Sequence, residues 1–249
     1  MGDAPPILTL QDVTVVFDGF RALNALTFKI FEGEIRCIIG PNGAGKTTMM
    51  DVVTGKTKPA TGTVRLGSET DLRRWSPPRI AQAGIGRKFQ KPSVFENHTV
   101  WQNLELARTT RRRWQEDLFA PADLHGQVDA MLARLFLTEQ RDRIAGAISH
   151  GQKQRLEIGM LLMQQPRLLL LDEPAAGLSD HDTAQLAELL LSLRGKYSLA
   201  VVEHDMEFVA ALSGQTGTVT VLAQGSVLAS GTLDEVKRNP VVIESYLGR

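Results

Sequence analysis

The octet Gly40-Pro41-Asn42-Gly43-Ala44-Gly45-Lys46-Thr47 is a full match to the pattern G-x-x-x-x-G-K-[ST]. Glycines at this spacing let consecutive backbone N–H groups turn inward around an anion, and a helix starting beyond them adds its positive N-terminal end. The chemistry predicted is a cradle for nucleotide phosphates. Lys46 reaches the β- and γ-phosphates, the Thr47 hydroxyl ligates Mg2+, and Thr48 stands beside it in the first helical turn. A second pair of residues suits the same chemistry: Asp172-Glu173 ends the apolar run Leu168-Leu169-Leu170-Leu171. Asp172 is expected to hold Mg2+ through water or the Thr47 hydroxyl, and Glu173 to polarise an attacking water. Taken singly, the first stretch reads as a glycine turn and the second as an ordinary strand end. In this order, and with a strand before and a helix after the glycine loop, they read together as a nucleotide site.

The elements that must position these residues follow from hydrophobic periodicity. Alternating apolar residues over Ile7–Phe17 and Leu23–Ile30 predict two strands, and the compact run Glu34–Ile39 a third that feeds directly into the glycine loop. Thr47–Val53 predicts a helix stopped by Gly55 with Pro59 beyond it, and Thr63–Leu66 a further strand. The middle of the chain changes character. Val100–Arg113, Leu124–Leu137 and Gln152–Gln165 have helical spacing, with Trp101, Trp114 and a Pro121 loop among them. Strand and helix then alternate again: Arg167–Leu171, Asp182–Leu193, Leu199–Val202. A small terminal sheet (Gly217–Leu222, Ser226–Ala229) and a closing helix, Asp234–Leu247, follow. Continuous buried strands alternating with helices imply an α/β fold with a largely parallel sheet covered on both faces. An antiparallel β part precedes it, and a helical lobe of about 92–160 is inserted into a core of 1–91 and 161–249.

Bulk properties narrow the function. The 249 residues are 43% hydrophobic and 22% charged, enough for a sizeable core. Lys plus Arg and Asp plus Glu each number 28, so the formal net charge is zero, which argues against a general nucleic-acid binder. No stretch approaches the roughly 18 apolar residues of a membrane span. The segment Met1–Leu10, with Asp3 and two prolines, does not resemble a signal peptide. Cys37 is the single cysteine, leaving no internal disulfide or cysteine-based metal site. A cytoplasmic protein is expected.

Further residues turn a generic P-loop NTPase into something narrower. Ser149-His150-Gly151-Gln152 resembles the signature of ABC ATPases, with Ile148 in the usual Leu place and His150 replacing the first glycine. Gln90 matches the Q-loop, His204 the switch histidine, and Phe17 the aromatic residue that stacks on adenine. The resemblance covers essentially the whole chain. It implies a RecA-like P-loop core, ATP as substrate with Mg2+, and catalysis by Glu173 and His204. It further implies that Gln90 joins Thr47 and Asp172 at the metal, and that Ser149, His150, Gly151 and Gln152 face ATP held by an opposite subunit. Ser149 is placed to cap a helix starting near Gln152, whose end points at that γ-phosphate. Two departures stand out: His150 removes a glycine, and in Ala176-Gly177-Leu178-Ser179 the last residue replaces a common Asp. His98, His125 and His181 have no motif support and are expected at the surface.

Ala175-Ala176-Gly177-Leu178 and the ending Ser245-Tyr246-Leu247-Gly248 resemble the branched-chain amino-acid importer ATPases. Met49–Thr57, Arg87–Pro92 and the His150-containing signature are most similar to the branch serving urea transporters, specifically the first of their two ATP-binding subunits. The partners implied are a second ATP-binding subunit, two membrane permease subunits meeting the segment Pro92–Trp101, and an extracytoplasmic solute-binding protein, with no nucleic acid. The chain would lie on the cytoplasmic face of the membrane, held there by the permease. Arg111-Arg112-Arg113 reads as a solvated basic face. Import of branched-chain amino acids is the alternative to urea. A soluble ABC protein of ribosomes or DNA, a non-catalytic cassette and an exporter ATPase are the weaker alternatives. The first usually carries a second cassette or long coiled coil, and intact Lys46, Asp172, Glu173 and His204 disfavour the second.

Overall fold

The computed structural model describes residues 5–68, 70–89, 93–108, 124–214 and 217–244. Two long strands, β1 (Pro6–Phe17) and β2 (Phe20–Phe31), form a hairpin through Asp18 and Gly19, both at positive φ (48° and 85°). That pairing of left-handed residues gives a two-residue turn whose twist matches the strands. With β4 (Thr61–Leu66) and β5 (Thr70–Asp71) they make an antiparallel sheet of order β2-β1-β4-β5.

The second sheet has the order β10-β9-β3-β8-β7-β6. Its members are β3 (Ile35–Ile39), β6 (Ile85–Lys88), β7 (Leu168–Asp172), β8 (Ser198–Val202), β9 (Thr218–Ala223) and β10 (Ser226–Gly231). Strands β9, β3, β8, β7 and β6 run parallel, and β10 closes one edge antiparallel to β9. The last two strands therefore extend the main sheet and are not a separate terminal one. Nothing in the alternation of β9 and β10 reveals their partner; the parallel pairing of Cys37 with Val219 does.

Strands β3, β7 and β8 are buried along their whole length, so side-chain alternation sorts their residues between two cores. Ile38, Leu168, Leu170, Ala200 and Val202 face the antiparallel sheet and helix α1 (Lys46–Val53), which contributes Met49, Met50, Val52 and Val53. Cys37, Ile39, Leu169, Leu171, Leu199 and Val201 face the other way. There they meet α5 (His150–Met163), α6 (Asp180–Ser192) and α7 (Met206–Ser213), with α3 (Val100–Arg108) and α4 (Leu124–Arg134) packed further out. Helix α2 (Pro77–Gln82) precedes β6, and α8 (Leu233–Arg238) follows β10. The closing helix is broken where one was expected, because α8 ends at Arg238 and Asn239 caps a separate short helix, Pro240–Val242.

Candidate functional site

The glycine loop leaves the buried strand β3 and enters α1, as the motif requires. Gly40 has φ 153° and packs so closely under the Leu222 carbonyl that a Cβ there would sit 2.2 Å from the oxygen. Gly45 is the N-cap of α1 at φ 99°, pressed against the Ala22 carbonyl and the Leu23 side chain of β2. The loop is thus moulded between the two sheets, and Gly225 N–H anchors it by donating to the Ala44 carbonyl at 3.1 Å. Pro41 is half-buried and Asn42 and Gly43 are exposed, as is Thr47 at the start of α1, with Thr48 half-buried behind it. Lys46 Nζ donates to the carbonyls of Gly40 (2.6 Å) and Pro41 (3.0 Å). Burial pulls this ammonium below the usual lysine range, against the raising effect of Glu173 and Asp172. Phe17 ends β1 beside the hairpin turn with its side chain 48% exposed, an open aromatic face on the sheet that flanks the loop.

Asp172 is the last residue of β7, and alternation after Leu168 and Leu170 turns it toward α1. Arg87, paired with Leu170 on β6, emerges on the same face. Its guanidinium donates to Asp172 Oδ2 at 3.3 Å and to Asp51 Oδ1 on α1. Burial raises the Asp172 carboxyl above the usual range while Arg87 opposes the shift. Asp172 Oδ1 is buried with no hydrogen-bond partner. An orphaned carboxylate oxygen is the kind of ligand a hard divalent cation takes. Among the described residues no cluster of three His, Cys, Asp or Glu side chains is built to hold a metal by itself.

Glu173 follows at φ 46°, a left-handed conformation uncommon outside glycine. Its N–H donates to the Val202 carbonyl at 3.0 Å, so the chain turns off β7 while still tied to the end of β8. His204, two residues beyond β8, brings Nδ1 to 3.7 Å from Glu173 Oε1, with its ring 61% exposed. The two residues predicted for catalysis therefore meet.

Ser149 is the N-cap of α5, as expected, and the helix starts at His150. The cap is reciprocal: Gln152 N–H donates to Ser149 Oγ (3.2 Å) and Ser149 N–H donates to Gln152 Oε1 (2.9 Å). As the first helical residue, His150 has ordinary backbone geometry, so the lost glycine causes no strain here. Its ring folds back along the helix, with Nε2 3.3 Å from the Gln154 amide. Gly151 lies against α6, where a Cβ would meet the Asp182 carboxylate at 2.3–2.6 Å. Asp182 also accepts from Arg155 (2.8 Å) and the Ser179 hydroxyl (2.9 Å). Against burial, which would raise it, these bonds hold its carboxyl below the usual range.

Gln90, Pro92, the arginine triplet 111–113 and the ending 245–248 lie outside the described residues. His98, His125 and His181 are exposed, His125 stacking on Trp101 with ring centroids 5.2 Å apart. Sequence reading assigned nothing to Arg87, Asp51, Glu203, Arg155 or Asp182. Arg87 is placed by its pairing beside Leu170, a neighbour across the sheet that the order of residues does not show.

This geometry can be set beside known proteins. Residues 23–176 match the ABC transporter family model, and residues 226–249 match that of the branched-chain amino acid ATP-binding cassette transporter. The high-affinity branched-chain amino acid transport ATP-binding protein BraF of Pseudomonas aeruginosa is 38% identical, with 98% of each chain covered. The corresponding LivG of Escherichia coli is 36% identical over 98% of each. Among solved structures, the ADP conformation of an ATP-binding cassette of an ABC transporter superposes with a TM-score of 0.81 at 29% identity, covering 98% of this chain and 99% of that one. A nucleotide-free ATP-binding cassette gives 0.78 at 28% identity, covering 98% and 100%. The chain belongs to the ATP-hydrolysing ABC transporter subunits, within the branched-chain amino acid importer group.

Proposed function

We propose that the chain is the ATP-driven motor of an importer, working across from a second ATP-binding subunit and beneath two permease subunits, with a solute-binding protein delivering the cargo. The observation that carries this reading is the meeting of Glu173 and His204 at 3.7 Å over strand ends that also present Asp172 to the Lys46 loop. The 40–48 loop holds the phosphates through its backbone N–H groups and Lys46, whose charge is re-stabilised when phosphate replaces carbonyl partners. Phe17 offers the adenine its exposed ring. Thr47, Asp172 and Gln90 would hold Mg2+, which would supply neutralisation of the phosphate charge. Glu173 accepts the proton of the attacking water, and His204 steadies the carboxylate and the γ-phosphate. Across the interface, the Ser149-capped end of α5 directs partial positive charge at the partner's γ-phosphate, with His150, Gly151 and Gln152 lining that end. The chain sits on the cytoplasmic face of the membrane, attached through the permease.

The names of the relatives favour branched-chain amino acids as the solute. Urea is a second reading, carried by the His150-containing signature. The test is uptake of labelled leucine and labelled urea in cells whose native gene carries Glu173→Gln. Loss of leucine uptake alone supports the first reading, and loss of urea uptake alone the second. Unchanged uptake of both rejects the pair.

A further inference from the structure

Glu203 has no part in the motifs above, yet it is 1% exposed and stands between the two residues assigned to hydrolysis. It follows β8 directly, and its N–H donates to the Ile38 carbonyl of β3 at 3.1 Å. Its carboxylate spans two turns. Oε1 accepts from Ala175 N–H at 2.8 Å, two residues past Glu173, and Oε2 accepts from His204 N–H at 3.1 Å. The Asp205 N–H also donates to the carboxylate. The turn after Glu173 is closed on itself by Ala176 N–H donating to the Glu173 carbonyl at 3.2 Å, so fixing Ala175 fixes Glu173 as well. A buried carboxylate is costly unless such donors surround it. Just past the end of β8, the Glu203 carboxylate is the group that ties these donors together.

We propose that Glu203 is a positioning residue for ATP hydrolysis: its buried carboxylate clamps the Glu173 turn to the His204 turn and thereby sets the approach of one side chain to the other. This rests on the roles proposed above for Glu173 and His204. A glutamine at 203 has the same shape but only one acceptor oxygen. Whichever way the amide faces, its NH2 group opposes an N–H, and one of the two turns is released. Because Glu203→Gln removes a buried charge, the fold has no new ion to accommodate.

The experiment measures steady-state ATP hydrolysis by the assembled transporter carrying Glu203→Gln, Glu203→Asp, His204→Ala, Glu173→Gln, or Glu203→Gln with His204→Ala. Glu203→Gln is expected to lower kcat about tenfold, the effect of losing one charge-assisted hydrogen bond, with KM for ATP within about twofold of wild type. Glu203→Asp, which keeps the charge but withdraws it by one methylene, is expected to fall likewise. In the His204→Ala background the further loss from Glu203→Gln is expected to shrink below about twofold, since residues acting as a unit are not additive. An unchanged kcat in Glu203→Gln overturns the inference, as does a tenfold loss that persists undiminished without His204. Wild-type hydrolysis in both Glu173→Gln and His204→Ala overturns the reading of the site itself, and the inference falls with it.

Discussion

Gly45 holds φ 99° with the position of its missing Cβ only 2.7 Å from the Ala22 carbonyl, so Gly45→Ala must both strain the backbone and separate α1 from β2. A cost of about 1–3 kcal/mol is expected in denaturant unfolding, with weakened ATP binding measured in parallel. Two substitutions separate holding from hydrolysing. Lys46→Ala should abolish nucleotide binding in equilibrium titration. Glu173→Gln should leave binding intact and lower turnover by about 10²–10⁴, as for loss of a general base. At this scale the sequence was most readable where chemistry constrains spacing. The loop 40–47 and Asp172-Glu173 were legible from type and order, and His204, which meets Glu173, only through the resemblance to ABC ATPases. Glu203 and Arg87 were hidden because their roles depend on neighbours across the sheet, which no spacing along the chain encodes.

Elements follow the same division. Helix α5 begins at Ser149 because that residue and Gln152 form a capping box, a pattern already present in the residue order. Strand β6 was invisible to periodicity: Ile85-Gly86-Arg87-Lys88 has no apolar run, and its two cations point to opposite faces. Arg87 reaches Asp172, while fully buried Lys88 lies 3.8 Å from Glu157 on α5. Helix α7 is short and apolar nearly all round, and its start is marked only by Asp205, whose side chain caps Glu207 and Phe208. The contact between α5 and α6 yields a pH prediction. Asp182 has a depressed folded pKa, so its contribution to stability is complete above the unfolded value of about 3.9 and is lost as pH falls through the lower folded value. The difference in melting temperature between wild type and Asp182→Asn should therefore be largest near neutrality and shrink as pH falls below about 4.

At the scale of the molecule, the six-stranded sheet carries one core on each side. Leu170→Ala opens a cavity against α1 and the antiparallel sheet, whereas Leu171→Ala opens one toward the α5 to α7 layer. Each should cost about 2–5 kcal/mol by chemical denaturation. Only the first should also weaken ATP binding, since α1 begins at Lys46. The alternation that sends 168 and 170 one way and 169 and 171 the other has a kinetic counterpart. Amides of α1 can exchange with solvent once the nucleotide-side layer loosens, and those of α5 and α6 once the opposite layer does. The amides of β7 and β8 must wait for both events, so the slowest hydrogen exchange should mark the two strands that lead into Glu173 and His204. Motion in either layer then moves around a floor that carries the reacting groups and stays still.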